Sequence, residues 1–189
     1  GCVQARLTID NTRDSWLTRL FTAEYAGLFD VLLPGLAALR LPLPLGGSSN
    51  HFRGDALRDA GAWDPYNVTE DADLGIRLAR HGHATTVIDS TTYEEAPARL
   101  GPWLRQRTRW FKGWMQTLAV HIRRPRALMH DVGLAGAAAF YLVIGGTVLS
   151  ALVQPFVLLA LALAFALDIP ILPRATAGAV TLVGWLHVA

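Results

Sequence analysis

One cysteine, Cys2, is all the thiol chemistry this chain of 189 residues has. No internal disulfide can form and no site built on paired thiolates is possible. That scarcity fits a reducing compartment. Charge is missing in one place only: residues 132–167 contain no Asp, Glu, Lys or Arg. Residues 1–131 hold all but Arg174 of the 17 Lys and Arg and all but Asp168 of the 15 Asp and Glu. The first part therefore reads as soluble and the second as lipid-embedded. A net charge of +2 gives no electrostatic footprint for nucleic acid, so no nucleic-acid partner is expected. The N-terminal Gly1-Cys2-Val3-Gln4 lacks a Met, a basic segment and an apolar segment, so these residues are not expected to be a signal peptide. The C-terminal residues stop inside an apolar run, and the expectation is an internal piece of a longer membrane protein. No internal repeat or low-complexity segment is visible.

What is present falls in mixed α/β order. Residues 3–9 suit a short strand. Trp16, Leu17, Leu20, Phe21 and Leu28 recur at helical spacing and predict a helix over 14–28, with Asp14 as the N-cap. Pro34, Pro42 and Pro44 then predict loop and short strand. Residues 46–50 (Gly-Gly-Ser-Ser-Asn) form a small-residue loop whose backbone N–H groups can face a ligand. A short helix follows over 55–60, stopped by Gly61, and a turn over 65–68. Thr69 is placed to cap a helix running to about Arg80, with Glu70, Asp71 and Asp73 in its first turn and Gly82 as its stop. Residues 84–89 are β-branched and predict a buried strand. Pro102 suits the first turn of a long helix reaching about Arg123. The uncharged stretch predicts an interfacial piece near 132–140 and a membrane crossing near 142–167, with a second crossing from about 175.

Two patterns carry chemistry. A glycosyl acceptor needs a base to take its proton as the hydroxyl attacks, and a carboxylate such as Asp71 at a loop-to-helix junction can serve. Mutual repulsion among Glu70, Asp71 and Asp73 tends to raise at least one of their pKa values. Thirty-five residues on, Gln106, Arg109 and Trp110 stand at i, i+3 and i+4, on one helix face. An arginine fork suits a diphosphate, and an indole offers a flat apolar face to a sugar ring. Either pattern alone is explained as well by ordinary helix chemistry: N-terminal charges for the first, a packed Trp and a solvated Arg for the second. Eight basic residues without an acid lie between Glu95 and Asp131. Arg123, Arg124 and Arg126 among them read as a juxtamembrane positive-inside segment. His81 and His83 straddle a helix end without a nearby thiolate or a second ligand pair, and Glu94 and Glu95 read either as orienting groups near the base or as solvated.

Taken together, Thr69-Glu70-Asp71 followed by Gln106-x-x-Arg109-Trp110 on a helix entering a membrane resembles the processive family 2 glycosyltransferases: cellulose, chitin and hyaluronan synthases and their bacterial relatives. The resemblance covers roughly residues 46–167. It implies an α/β fold, a fragment of a GT-A type (Rossmann-like) domain followed by transmembrane α-helices. Residues 1–125 would be a partial cytosolic catalytic domain and 126–189 interfacial and transmembrane helices. It further implies Asp71 as catalytic base, with Thr69, Glu70, Gln106, Arg109 and Trp110 lining the donor diphosphate and the acceptor end, and Ser48 and Asn50 near the acceptor. The expected partners are a UDP-linked nucleotide-diphosphate sugar, a glycan acceptor and the lipid bilayer. The location implied is the inner membrane, multi-pass, with the catalytic part cytosolic. A divalent cation, Mg2+ or Mn2+, is implied with its ligands upstream of Gly1, and residues 1–189 alone are expected to lack transferase activity. A non-processive enzyme acting on a lipid or short acceptor, or a degenerate membrane-anchored scaffold, are the competing readings.

Overall fold

The computed structural model describes residues 1–167; the second crossing expected from about 175 lies outside them. A central strand, β1 (Cys2–Ile9), pairs antiparallel with β2 (Asn50–Phe52) and parallel with β3 (Thr85–Glu94). The β1–β3 register slips between Ala5 and Arg6, so that Asp89 and Ser90 bulge from β3. Asp89 reaches Arg6, which also meets Asp30 at 3.3 Å. β3 was expected to be buried. It pairs with β1 alone among the described residues and is largely exposed, with Tyr93 open to solvent. Its β-branched residues fit an edge as well as a core.

The first helix starts one residue later than expected. Ser15, not Asp14, caps α1 (Trp16–Ala26), through a reciprocal pair with Thr18. The chain then fails to break at Pro34. A π turn (Gly27–Leu32) leads into α2 (Leu33–Ala38), and the Leu33 N–H bonds five residues back to Leu28. Pro34 falls in the first turn of α2, where its fixed φ suits a helix, so the helix continues where proline was expected to end it. The 23 residues Trp16–Ala38 are long and apolar enough to cross a membrane. However, Phe21, Tyr25, Phe29, Leu33 and Leu36 are buried with Leu7 and Ile9 of β1, the place of a core helix.

After α3 (Gly54–Asp59), α4 (Glu70–Arg80) packs across the sheet's other side, with Leu74 and Leu78 against Cys2, Leu45 and Ala56. Gly75 is where α4 crosses the 43–45 segment. A Cβ there would stand 2.0 Å from the Leu43 carbonyl oxygen. The long helix α5 (Leu100–Ile122) follows, then α6 (Pro125–Phe140), a π turn (Tyr141–Gly145) and α7 (Gly146–Ala166). Gly133, at φ 72°, breaks α6. The run over 134–166 is therefore divided from the basic segment by glycine, while Pro155 lies inside α7. The stretch Pro125–Ala166 is long and apolar enough to cross a membrane, and Leu134, Leu142, Phe156 and Phe165 are all exposed on it.

Candidate functional site

Asp71 stands in the first turn of α4, half-buried. The Trp63 indole N–H donates to its Oδ1 at 2.9 Å. Its other oxygen, Oδ2, lies 3.4 Å from where a Cβ on Gly47 would be. Burial raises the pKa of Asp71 above the usual carboxylate range; the Trp63 hydrogen bond opposes this and the Glu70 charge adds to it. Asp73 does not share in that repulsion. Burial would raise it too, but hydrogen bonds from His121 (3.0 Å) and Arg77 (2.7 Å) bring its pKa below the ordinary value.

The 46–50 loop reaches Asp71 because β1 holds it. Gln4, fully buried, accepts from the Gly46 N–H at 2.9 Å and donates to the Ser48 carbonyl at 3.0 Å. The Ala5 N–H bonds the Ser49 carbonyl, and Ser49 sits at φ 56°, in the left-handed region. Gly46 has no room for a side chain, since a Cβ would stand 2.7 Å from Phe29. The expectation that this loop turns its N–H groups to a ligand fails at Gly46, whose N–H is taken by Gln4. The Ser48 hydroxyl is likewise committed, to Glu94, which also accepts from the Tyr25 hydroxyl at 3.3 Å. Glu94 is thus a loop anchor and not a solvated charge. Asn50 donates to the Gly46 carbonyl, while its Oδ1 is buried without a partner among the described residues.

Thr69 occupies the N-cap position but its side chain does not cap; its hydroxyl turns to Asn67. It is pressed against α5, where a Cβ on Gly113 would stand 2.2 Å from Thr69 Oγ1. Asn67 Nδ2 donates to Thr117 at 2.9 Å, and Gln116 accepts from the Val68 N–H. These contacts bring the Gln106 helix to the Asp71 helix. Gln106, Trp110, Gly113 and Thr117 follow one stripe of α5, with Gln106 about 10 Å along the axis from Gly113. Gln106 Oε1 is buried with no partner among the described residues. Trp110 turns into the core against Phe21, ring centroids 5.9 Å apart. Arg109 is exposed, so the expected common face divides: Gln106 and Trp110 inward, Arg109 outward.

The buried arginine of this helix is Arg107, which sequence reasoning passed over. It is bidentate to Glu24 of α1, and its guanidinium lies 4.8–5.3 Å from the Phe21, Trp103 and Trp110 rings. Burial pushes the Glu24 carboxyl up to about 8 against the attraction of Arg107. Deeper in, His121 of α5 bonds to α4 twice. Arg80 can only donate and Asp73 only accepts, so His121 takes the Arg80 N–H on Nδ1 (3.1 Å) and donates from Nε2 to Asp73. Arg80 in turn pairs with Asp131 of α6 at 2.8 Å. His83 and His81 both turn to Asp59, at 2.8 and 3.5 Å. Among the described residues no group of three or more His, Cys, Asp or Glu side chains could hold a metal ion, so they do not fit the implied divalent cation. A cavity of about 500 Å³ lies elsewhere, lined by Arg6, Phe29, Asp30 and Asp89 among others, and none of the candidate site residues borders it.

Known proteins share this sequence pattern. The family described as Glycosyl transferase family group 2 matches residues 1–176. A rice protein (Oryza sativa subsp. japonica) named "Probable glucomannan 4-beta-mannosyltransferase 7" is 30% identical over 112 residues, 59% of this chain and 19% of its own length. "Glucomannan 4-beta-mannosyltransferase 1" of Cyamopsis tetragonoloba is 28% identical over 60% of the chain and 22% of its own length. "Probable glycosyltransferase YdaM" of Bacillus subtilis (strain 168) is 27% identical over 60% and 27% respectively. The chain thus spans about a fifth to a quarter of these relatives. With the family matched over most of its length, the chain belongs to glycosyl transferase family group 2, a membership that implies the GT-A fold.

Proposed function

We propose that this chain supplies the acceptor side of an inverting glycosyltransferase that moves a hexose from a nucleotide-diphosphate sugar to the end of a growing β-glycan. Asp71 is its base. The observation that carries this is the placement of Asp71: half-buried at a helix start, one oxygen held by Trp63 and the other turned to the clamped glycine loop. The acceptor hydroxyl gives its proton to Asp71, its oxygen bonds to the anomeric carbon, and the bond from that carbon to the diphosphate breaks with inversion. The nucleoside diphosphate, UDP in this reading, carries away the electron pair. Arg109 is exposed, and its fork suits the departing phosphates. Gln106 offers an open buried acceptor to a sugar hydroxyl, and Trp110 borders the same stripe. Thr69, Glu70, Ser48 and Asn50 frame the acceptor.

The relatives named as 4-β-mannosyltransferases support a β-linked hexosyl product. The exposed apolar helix over 134–166 supports passage of that product through the inner membrane, with the catalytic part cytosolic. Membranes holding the full-length protein, supplied with radiolabelled nucleotide sugars in turn, should make an insoluble long glycan from one donor. Asp71→Asn should abolish it, by at least ~10³-fold, and leave nucleotide binding intact. Retained synthesis would remove the base assignment. Short products only would favour the non-processive alternative.

A further inference from the structure

We infer that Trp63 and Gly47 together assign different work to the two oxygens of Asp71: Trp63 fixes Oδ1 as a hydrogen-bond acceptor, and Gly47 keeps Oδ2 open as the oxygen that takes the acceptor's proton. This rests on the reading of Asp71 as base. The geometry is specific. The Trp63 indole N–H is 2.9 Å from Oδ1, and no other side chain among the described residues donates to Asp71. Trp63 does not float; its ring meets Phe52 edge-on at 5.3 Å, so β2 fixes the direction of the N–H. Gly47 faces Oδ2. A Cβ there would meet Oδ2 at 3.4 Å and nothing else within 4 Å. Gly47 does not take a left-handed φ. Alanine is therefore permitted by the backbone, and its methyl would cover the oxygen without disturbing the loop. Trp63 is thus a positioning residue that acts through Asp71.

The charges around Asp71 are few. Glu70 on the same helix disfavours its ionised form. The 46–49 loop and Trp63 are neutral, and α5 meets this end of α4 through Gly113. A donor on Oδ1 favours the carboxylate. Its loss therefore moves the pH at which the base becomes competent upward.

The test is the pH profile of transfer by the full-length protein in membranes. Trp63→Phe keeps the ring against Phe52 and removes the N–H. Its acid limb should move up by about one pH unit, with donor-nucleotide affinity unchanged. Gly47→Ala should lower kcat at least ~10-fold at every pH without moving the limb, again with donor affinity unchanged. Asp71→Asn is run alongside. If it is inactive and the Trp63→Phe limb stays in place, Trp63 has no such role while the base assignment stands. Unchanged turnover by Gly47→Ala would overturn the assignment of Oδ2. An active Asp71→Asn would overturn the base reading and this inference with it.

Discussion

Side chains that hold the site in place matter here as much as those that face it. Gln4 is the clearest case. It projects from β1, is fully buried, and closes both ends of the Gly46-Gly47-Ser48 turn. Gln4→Leu would keep the volume and leave the Gly46 N–H and the Ser48 carbonyl without partners. Each orphan costs about 1–3 kcal/mol. The expected result is a lower thermal midpoint of the detergent-solubilised protein and faster amide exchange over residues 46–49. An unchanged exchange rate would mean that the loop is held without Gln4, by the Ser48–Glu94 and Ala5–Ser49 hydrogen bonds and the Phe29 packing. At this scale the sequence was readable where side-chain type announces a task, as in Thr69-Glu70-Asp71 and Gln106-x-x-Arg109-Trp110. Gln4, Trp63 and Glu24 give no such signal. Their partners are 44, 8 and 83 residues away, and nothing local says that a glutamine in a strand will clamp a loop or that a glutamate will lie against a distant arginine.

Elements meet at this site through glycines. Gly113 of α5 lets Thr69 approach so closely that any Cβ would overlap its hydroxyl and methyl. That contact sets the distance between the helix with Asp71 and the helix with Gln106 and Trp110. Gly113→Ala should therefore act as a lever. It should displace the start of α4 and cut transfer at least ~10-fold while leaving the donor's affinity in place, since a displacement near 1 Å is enough to spoil alignment. The double variant Gly113→Ala, Thr69→Ala removes the hydroxyl and methyl and should recover part of the rate. Recovery to no degree would place the damage elsewhere on α5. Helix periodicity located α4 and α5 well because both are strongly patterned. It missed the continuation through Pro34, because a π turn has no sequence signature that outweighs a proline. It also judged β3 buried, because β-branched runs suit an edge and a core equally. The glycines were visible as letters, but a glycine inside a helix reads as a weakness until the neighbour pressed against it is known.

The whole molecule is divided between charged and uncharged regions, and the border falls at Gly133. Before it stand Arg123, Arg124 and Arg126, all exposed. After it α6, the π turn and α7 present leucines and phenylalanines outward, which water would not tolerate as one continuous surface. The charged side is tied back to α4, since Asp131 pairs with Arg80, Arg80 with His121 and His121 with Asp73, two residues from the proposed base. If the apolar run lies in lipid and the arginines at its cytosolic border, single cysteines should report it. The native thiol will not interfere, because Cys2 is buried and burial pushes its pKa up to about 11, leaving almost no thiolate to react. In inside-out vesicles, Arg126→Cys should be modified rapidly by a membrane-impermeant maleimide. Phe156→Cys, at an exposed position of α7, should resist the reagent from either side and react only after detergent is added. Equal labelling of the two positions in intact vesicles would place the helix in water and remove the membrane-passage part of the proposed function. Protection of Phe156→Cys together with labelling of Arg126→Cys only in right-side-out vesicles would keep the crossing and reverse its orientation.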